Sequence, residues 1–142
     1  MILFLDASSL VKLYIDEEGS EGLRSLVADS DAVVVSRISR LELLSSFARR
    51  RREGSLDDDR HRAARQAFDA DRQAFGTVDV DIDAAEALVD RHPLRALDAL
   101  QLAALKAVAG KIPVQDLCFG CHDLRLAQAA RAEGFDVRPR VA

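Results

Sequence analysis

Apolar positions along the chain follow two rhythms. Short unbroken runs, "ILFL" at 2–5 and "AVVV" at 32–35, alternate with longer stretches in which apolar residues recur every three or four positions. The first rhythm predicts buried strands, the second amphipathic helices. Strands are expected at Ile2–Leu5, Ala32–Val35 and Val78–Val80, in "DLCFG" at 116–120 and in "FDV" at 135–137. Between them the spacing predicts a short helix up to Tyr14, capped by Ser8 or Ser9. Further helices are predicted over Gly19–Ala28, Ser39–Glu53 (stopped by Gly54) and Asp57–Phe75, and from Asp83. After Pro93 comes a mostly apolar helix in "LRALDALQLAALKAVAG", and Asp123 caps a last one in "DLRLAQAARAEG".

Strands that alternate with helices imply an α/β fold, with a parallel sheet covered on both faces. The expected architecture is a three-layer α/β/α sandwich: four to five short parallel strands, right-handed crossovers and flanking helices. No repeat or low-complexity linker interrupts the 142 residues, so one domain over 1–142 is expected.

Sites in such folds form beyond the carboxyl ends of the strands, and four acids stand at those ends. Asp6 is the first polar residue after the first strand; a turn or helix-cap aspartate is the ordinary alternative. Glu42 lies in "SRISRLELL", where Ser39-x-x-Glu42 reads as a capping box in the first turn of a helix. Asp98 shares a helical stripe with Leu94, Leu102 and Leu105. A carboxylate buried there without a partner costs several kcal/mol or changes its pKa. The helix dipole or a pair with Arg95 is the bland account of Asp98, and a bound cation explains it better. Asp123 follows the fourth strand and is also a natural N-cap. Asp116 stands at the other end of that strand, about 20 Å away at ~3.3 Å per residue, and is set aside.

Four carboxylates on one face repel, and the pattern places no lysine or histidine to neutralise them. Hard divalent cations with oxygen ligands relieve that repulsion. Mg²⁺ or Mn²⁺ is the expected occupant, and one or two such ions activate water for displacement at phosphorus. That is nuclease chemistry.

Composition changes this picture little. Apolar residues make up 49 % and charged residues 31 %, an ordinary globular profile. No apolar run approaches the roughly 20 residues of a membrane helix, and the start lacks the basic region of a signal peptide. A cytoplasmic protein with no membrane association is expected. The net charge of −4 gives no global pull toward nucleic acid, yet Arg49, Arg50, Arg51 and Arg52 stand together. They offer contacts to RNA phosphates or a protein partner, although arginines at a helix C-terminus are common. Cys118-Phe119-Gly120-Cys121-His122 spells a haem-attachment signature. No haem is expected, because that attachment needs an exported compartment and the only methionine is Met1. No zinc is expected either, because four ligands at useful spacing are lacking.

The blocks "LDASSLVKLY", "SRISRLELLSSFARR", "LRALDALQLAAL" and "LCFGCHDLRLAQAARAEGFDV" resemble, in order, the four motif blocks of PIN-domain ribonucleases. They are most similar to the VapC-type toxins of bacterial toxin–antitoxin pairs, and the resemblance spans essentially the whole chain. It implies that Asp6, Glu42, Asp98 and Asp123 hold Mg²⁺ or Mn²⁺ for hydrolysis of RNA phosphodiester bonds. Glu42 would hold a second ion or orient the attacking water. Ser8 matches the hydroxyl residue that follows the first acid, and Arg95 would guide phosphate or pair with an acid. Cys121 departs from the usual Thr or Ser two positions before the last acid, which puts metal affinity in doubt. Cys118 becomes a core strand residue and His122 a variable one. "GKIPVQD" reads as a lengthened loop. A homodimer is implied, silenced by a cognate antitoxin. The competing readings are a haloacid dehalogenase-type phosphohydrolase, a receiver-type signalling domain and a non-catalytic PIN-fold module that binds nucleic acid or protein. The first wants an acid where Ser8 stands. The second wants an acid pair and a late lysine that are lacking, and the third is expected to have lost one of the acids.

Overall fold

Strands β1 (Ile2–Leu5), β2 (Ala32–Ser36), β3 (Gly76–Val78), β4 (Leu117–Gly120) and β5 (Asp136–Arg138) form one sheet in a computed structural model. The structure describes residues 1–140, so the last two residues of the expected 1–142 domain lie outside it. The strand order is β3-β2-β1-β4-β5 and every pairing is parallel. The central strand β1 is hydrogen-bonded on both sides, and Leu5 sits in register with Val35 on one side and Gly120 on the other.

Side chains along β1 alternate between faces, as the twofold period of a strand requires. Leu3 and Leu5 enter one core cluster and Phe4 the other. The Leu3 face is covered by α1 (Ala7–Leu10), α2 (Ser20–Asp29), α3 (Arg37–Arg52) and α4 (Asp58–Asp71), through Leu10, Leu23, Phe47 and Phe68. The Phe4 face is covered by α5 (Ile82–Arg91), α6 (Ala96–Ala109) and α7 (Leu124–Ala132), through Leu88, Leu102 and Leu126. This is the expected α/β/α sandwich. Among the described residues no helix is long and apolar enough to cross a membrane.

Several local expectations need correction. The third strand ends at Val78, where it was expected to begin: Val34 pairs with Gly76 and Ser36 with Val78, and Asp81 already caps α5. The alternating "TVDVD" straddles a strand end and a helix cap, so periodicity alone misplaced it. The helix expected to reach Phe75 ends at Asp71. The first short helix is capped by Asp6, whose carboxylate accepts the Ser9 N–H, not by Ser8 or Ser9. In α3 the N-cap is Ser36, whose hydroxyl accepts the Ser39 N–H at 3.3 Å. No Ser39–Glu42 capping box forms, and Glu42 sits in the second turn of α3.

Gly120 ends β4 against the strand that carries Asp6, and its carbonyl accepts the Asp6 N–H at 3.2 Å. A Cβ on Gly120 would lie 2.4 Å from Leu5 Cδ2, a side chain with no exposure at all. Gly120→Ala is expected to lower unfolding stability by about 1–3 kcal/mol, the usual cost of overpacking a filled core. The check is the urea midpoint at an unchanged m-value.

Candidate active site

The carboxyl ends of β1, β2 and β4 meet at one edge of the sheet, and the predicted acids gather there. Asp6 leaves β1 with only 4 % of its surface exposed. The Ser8 hydroxyl lies 2.8 Å from each of its carboxylate oxygens, and the Ser9 N–H donates at 3.1 Å. The Cys121 thiol is 3.4 Å from the same carboxylate. Burial nevertheless outweighs these donors and pushes the Asp6 pKa up to about 6, with the negative charge of Glu42 adding to the rise.

Glu42 is half-buried and accepts a hydrogen bond from Gln101 Nε2 at 2.9 Å. Burial raises its proton affinity; the Gln101 hydrogen bond opposes that rise, and the charge of Asp98 adds to it. Gln101 is itself 2 % exposed, and its amide also lies 2.6 Å from the Ser39 hydroxyl. Its carbonyl oxygen is buried without a partner. Asp98, 7 % exposed in the first turn of α6, accepts from Arg95 Nε at 3.3 Å. Asp123 caps α7 by accepting the Leu126 N–H at 3.0 Å, and its second oxygen accepts from Arg95 Nη2 at 3.4 Å. Arg95 therefore bridges two of the four acids, and their charges hold its guanidinium firmly protonated. The sequence pattern had offered Arg95 a pairing with one acid, not two.

Charge ties the four carboxylates together: Asp6 responds to Glu42, Glu42 to Asp98, and Arg95 to Asp98, Asp123 and Glu42. Among the described residues no three His, Cys, Asp or Glu side chains are drawn to metal-ligand spacing, and a guanidinium stands between two of the acids. The donors are carboxylate oxygens with a serine hydroxyl behind them, which suits a hard divalent cation. Asp6 fits that class best, because a buried carboxylate is relieved by a proton or a cation.

A family model for the PIN domain matches residues 3–116. The chain belongs to the PIN-domain family. Ribonuclease VapC45 of Mycobacterium tuberculosis (strain CDC 1551 / Oshkosh) is 31 % identical over 142 residues, covering 97 % of this chain and 95 % of that protein. Among solved structures, M. tuberculosis VapC20, a sarcin-ricin loop cleaving toxin, superposes with a TM-score of 0.63 at 22 % identity, over 94 % of this chain and 95 % of that one. A toxin–antitoxin complex from Klebsiella pneumoniae gives 0.57 at 16 % identity, over 87 % and 88 %. Asp6, Glu42 and Asp98 fall inside the matched PIN segment, and Asp123 lies just beyond it.

The two cysteines of this PIN chain do not converge on one ligand. Cys118 packs in the Leu3 cluster and Cys121 in the Phe4 cluster, on opposite faces of the sheet. The Cys121 thiol also lies 3.4 Å from the Asp123 carbonyl, and its burial raises its pKa steeply. His122 is not a bystander: its N–H donates to Ser8 Oγ at 3.0 Å and its Nδ1 lies 2.8 Å from Ser9 Oγ. It thereby ties the β4–α7 turn to α1. The arginines at the end of α3 do not join the acids. Arg50 pairs with Glu17 at 2.9 Å and Arg51 with Asp58 at 2.8 Å, while Arg49 stands 4.0 Å from Glu53 and Arg52 is exposed. At ~1.5 Å rise per residue Arg49 is about 10 Å along the helix from Glu42. The sequence reading passed over Gln101, gave Ser9 only as a helix cap and took His122 as a variable residue. For Gln101 a signal was present: it is the one uncharged polar residue of a mostly apolar helix, a turn after Asp98.

The raised pKa of Asp6 has a sign. The folded carboxyl holds its proton up to about pH 6, whereas the unfolded one releases it near 3.8. Stability from this group is complete below pH 3.8 and is lost as pH rises through 6. Asp6→Asn is therefore expected to stabilise the metal-free protein at pH 7 by about 1–3 kcal/mol. The advantage shrinks below pH 6 and vanishes near pH 4, as read from urea unfolding in EDTA across that range.

Proposed function

We propose that this PIN protein is a metal-dependent endoribonuclease, the toxin of a VapBC-type toxin–antitoxin pair, acting on RNA phosphodiester bonds at Asp6, Glu42, Asp98 and Asp123. The observation that carries the reading is Asp6: a carboxylate 4 % exposed at the edge where ligands bind, with a second carboxylate raising its proton affinity. The relative named a ribonuclease and the related toxin–antitoxin complex support the enzyme class and the partner. A homodimer working in the cytoplasm is part of the same reading.

In this mechanism Asp6, Asp98 and Asp123 would hold Mg²⁺ or Mn²⁺, and the chemistry such an ion would supply is activation of water and stabilisation of charge at phosphorus. Ser8 fixes the orientation of the Asp6 carboxylate by reaching both of its oxygens. Glu42, held by Gln101, orients the attacking water or takes a second ion. Arg95 gives up its place between Asp98 and Asp123 and turns to the phosphate. The exposed arginines Arg49, Arg51 and Arg52, with the partly buried Arg50 behind them, meet RNA or antitoxin away from the acids.

The test is cleavage of total bacterial RNA by the purified protein in Mn²⁺ or EDTA, with new 5′ ends mapped. Discrete ends that require metal are expected, and Asp98→Asn should lower their yield on the order of a hundredfold or more. Absence of cleavage together with no calorimetric Mn²⁺ binding would leave a non-catalytic PIN-fold binding module. Arg95→Ala should tighten Mn²⁺ binding several-fold in the same calorimetry, because it removes a competing cation.

A further inference from the structure

A cavity of about 600 Å³ opens beside the acidic edge, within the usual range of ligand sites. Its wall on the side of the acids is His122, whose N–H holds Ser8, which in turn holds Asp6. Leu23 and Leu26 of α2 supply an apolar floor. Cations crowd its rim. Arg138 and Arg140 share a single carboxylate, Asp136, and Lys12 shares Glu17 with Arg50. Glu18 is the one acid in the lining, so in a chain of net charge −4 the cavity wall itself carries three cations against one carboxylate.

Gly22 adds an independent observation. It lies in the first turn of α2, where glycine is a weaker helix former than alanine. Gly19 and Gly120 each have a structural reason: Gly19 has φ +90 and lies against the His122 ring, and a Cβ on Gly120 would strike Leu5. Gly22 has neither, since a Cβ there meets nothing within 4 Å. Gly22 lines the cavity with open space above it, so a large side chain placed there would fill the cavity.

The geometry points to a nucleotide subsite: this cavity takes one base of a single-stranded RNA, stacked against His122 and the leucines, while the rim cations meet its phosphates. The inference rests on the ribonuclease reading and adds a position for the nucleotide next to the bond that is cut. An imidazole face with apolar walls accepts any base by stacking, and guanidinium groups follow the backbone. A protein segment would be a different occupant; the cationic rim favours the polyanion.

The test pairs Gly22→Trp, which fills the cavity, with Gly22→Ala, which leaves most of it open. Gly22 does not belong to the acidic machinery. A short, labelled, mixed-sequence single-stranded RNA is titrated with full-length protein in EDTA and read by fluorescence anisotropy. Melting temperature and Mn²⁺ calorimetry are recorded for each variant. Gly22→Trp should weaken RNA binding by about tenfold, the effect of losing one stacked base, and raise KM for cleavage more than it lowers kcat. Its melting temperature and Mn²⁺ affinity should match the wild type, and Gly22→Ala should bind RNA like the wild type. Equal RNA binding by Gly22→Trp and wild type, or no binding by the wild type, overturns the subsite. So does loss of binding to the cognate antitoxin with RNA binding intact, which would assign the cavity to a protein. Wild-type protein that binds RNA in a Gly22-dependent way yet never cuts it with Mn²⁺ would refute the nuclease and keep the subsite. Metal-dependent cleavage with an indifferent Gly22→Trp would do the reverse.

Discussion

A carboxylate taken out of water needs a proton, a cation or a full set of donors, and Asp6 has only part of the last. The constraint is topological. Asp6 follows the central strand directly, β1 is paired on both sides, and the side chain is left 4 % exposed. Ser8, Ser9 and Cys121 soften the burial without cancelling it. The rest of the edge is arranged around that residual cost, because every further acid brought near Asp6 adds to it.

Two different devices keep the other acids in place. Glu42 is steered by a neutral donor, the Gln101 amide, which orients the carboxylate without cancelling its charge. Asp98 and Asp123 are bridged by a charged one, Arg95, on an exposed and mobile type of side chain. A neutral partner can stay while a cation binds, whereas a guanidinium competes with it. The buried amide is thus suited to permanent orientation and the exposed arginine to exchange.

Much of this was legible in the chain. Runs such as "ILFL" and "AVVV" have no other stable use than buried parallel strands, and the acids that follow them were conspicuous for that reason. The start of α3 was not legible, because Ser36 and Ser39 both offer a capping hydroxyl. Pairing of Ser36 with Val78 carries β2 one residue further and decides for Ser36. The roles of Gln101 and His122 were not legible because their partners lie 59 and 113 residues away, where no periodicity reaches. The cysteines, set aside as haem or zinc ligands from the sequence, are an example of spacing without convergence. Their spacing suggests a shared ligand, but residues three apart across a strand end fall on opposite faces of the sheet.

The neighbour of β1 on one side is β4, which the ribosome delivers more than a hundred residues later. Until Leu117–Gly120 dock, β1 has an open edge, the Asp6 amide lacks its carbonyl partner, and the turn bearing Cys121, His122 and Asp123 does not exist. A chain cut short before Leu117 therefore carries Asp6, Glu42 and Asp98 without the strand and turn that gather them, and the edge takes shape only after β4 has been made.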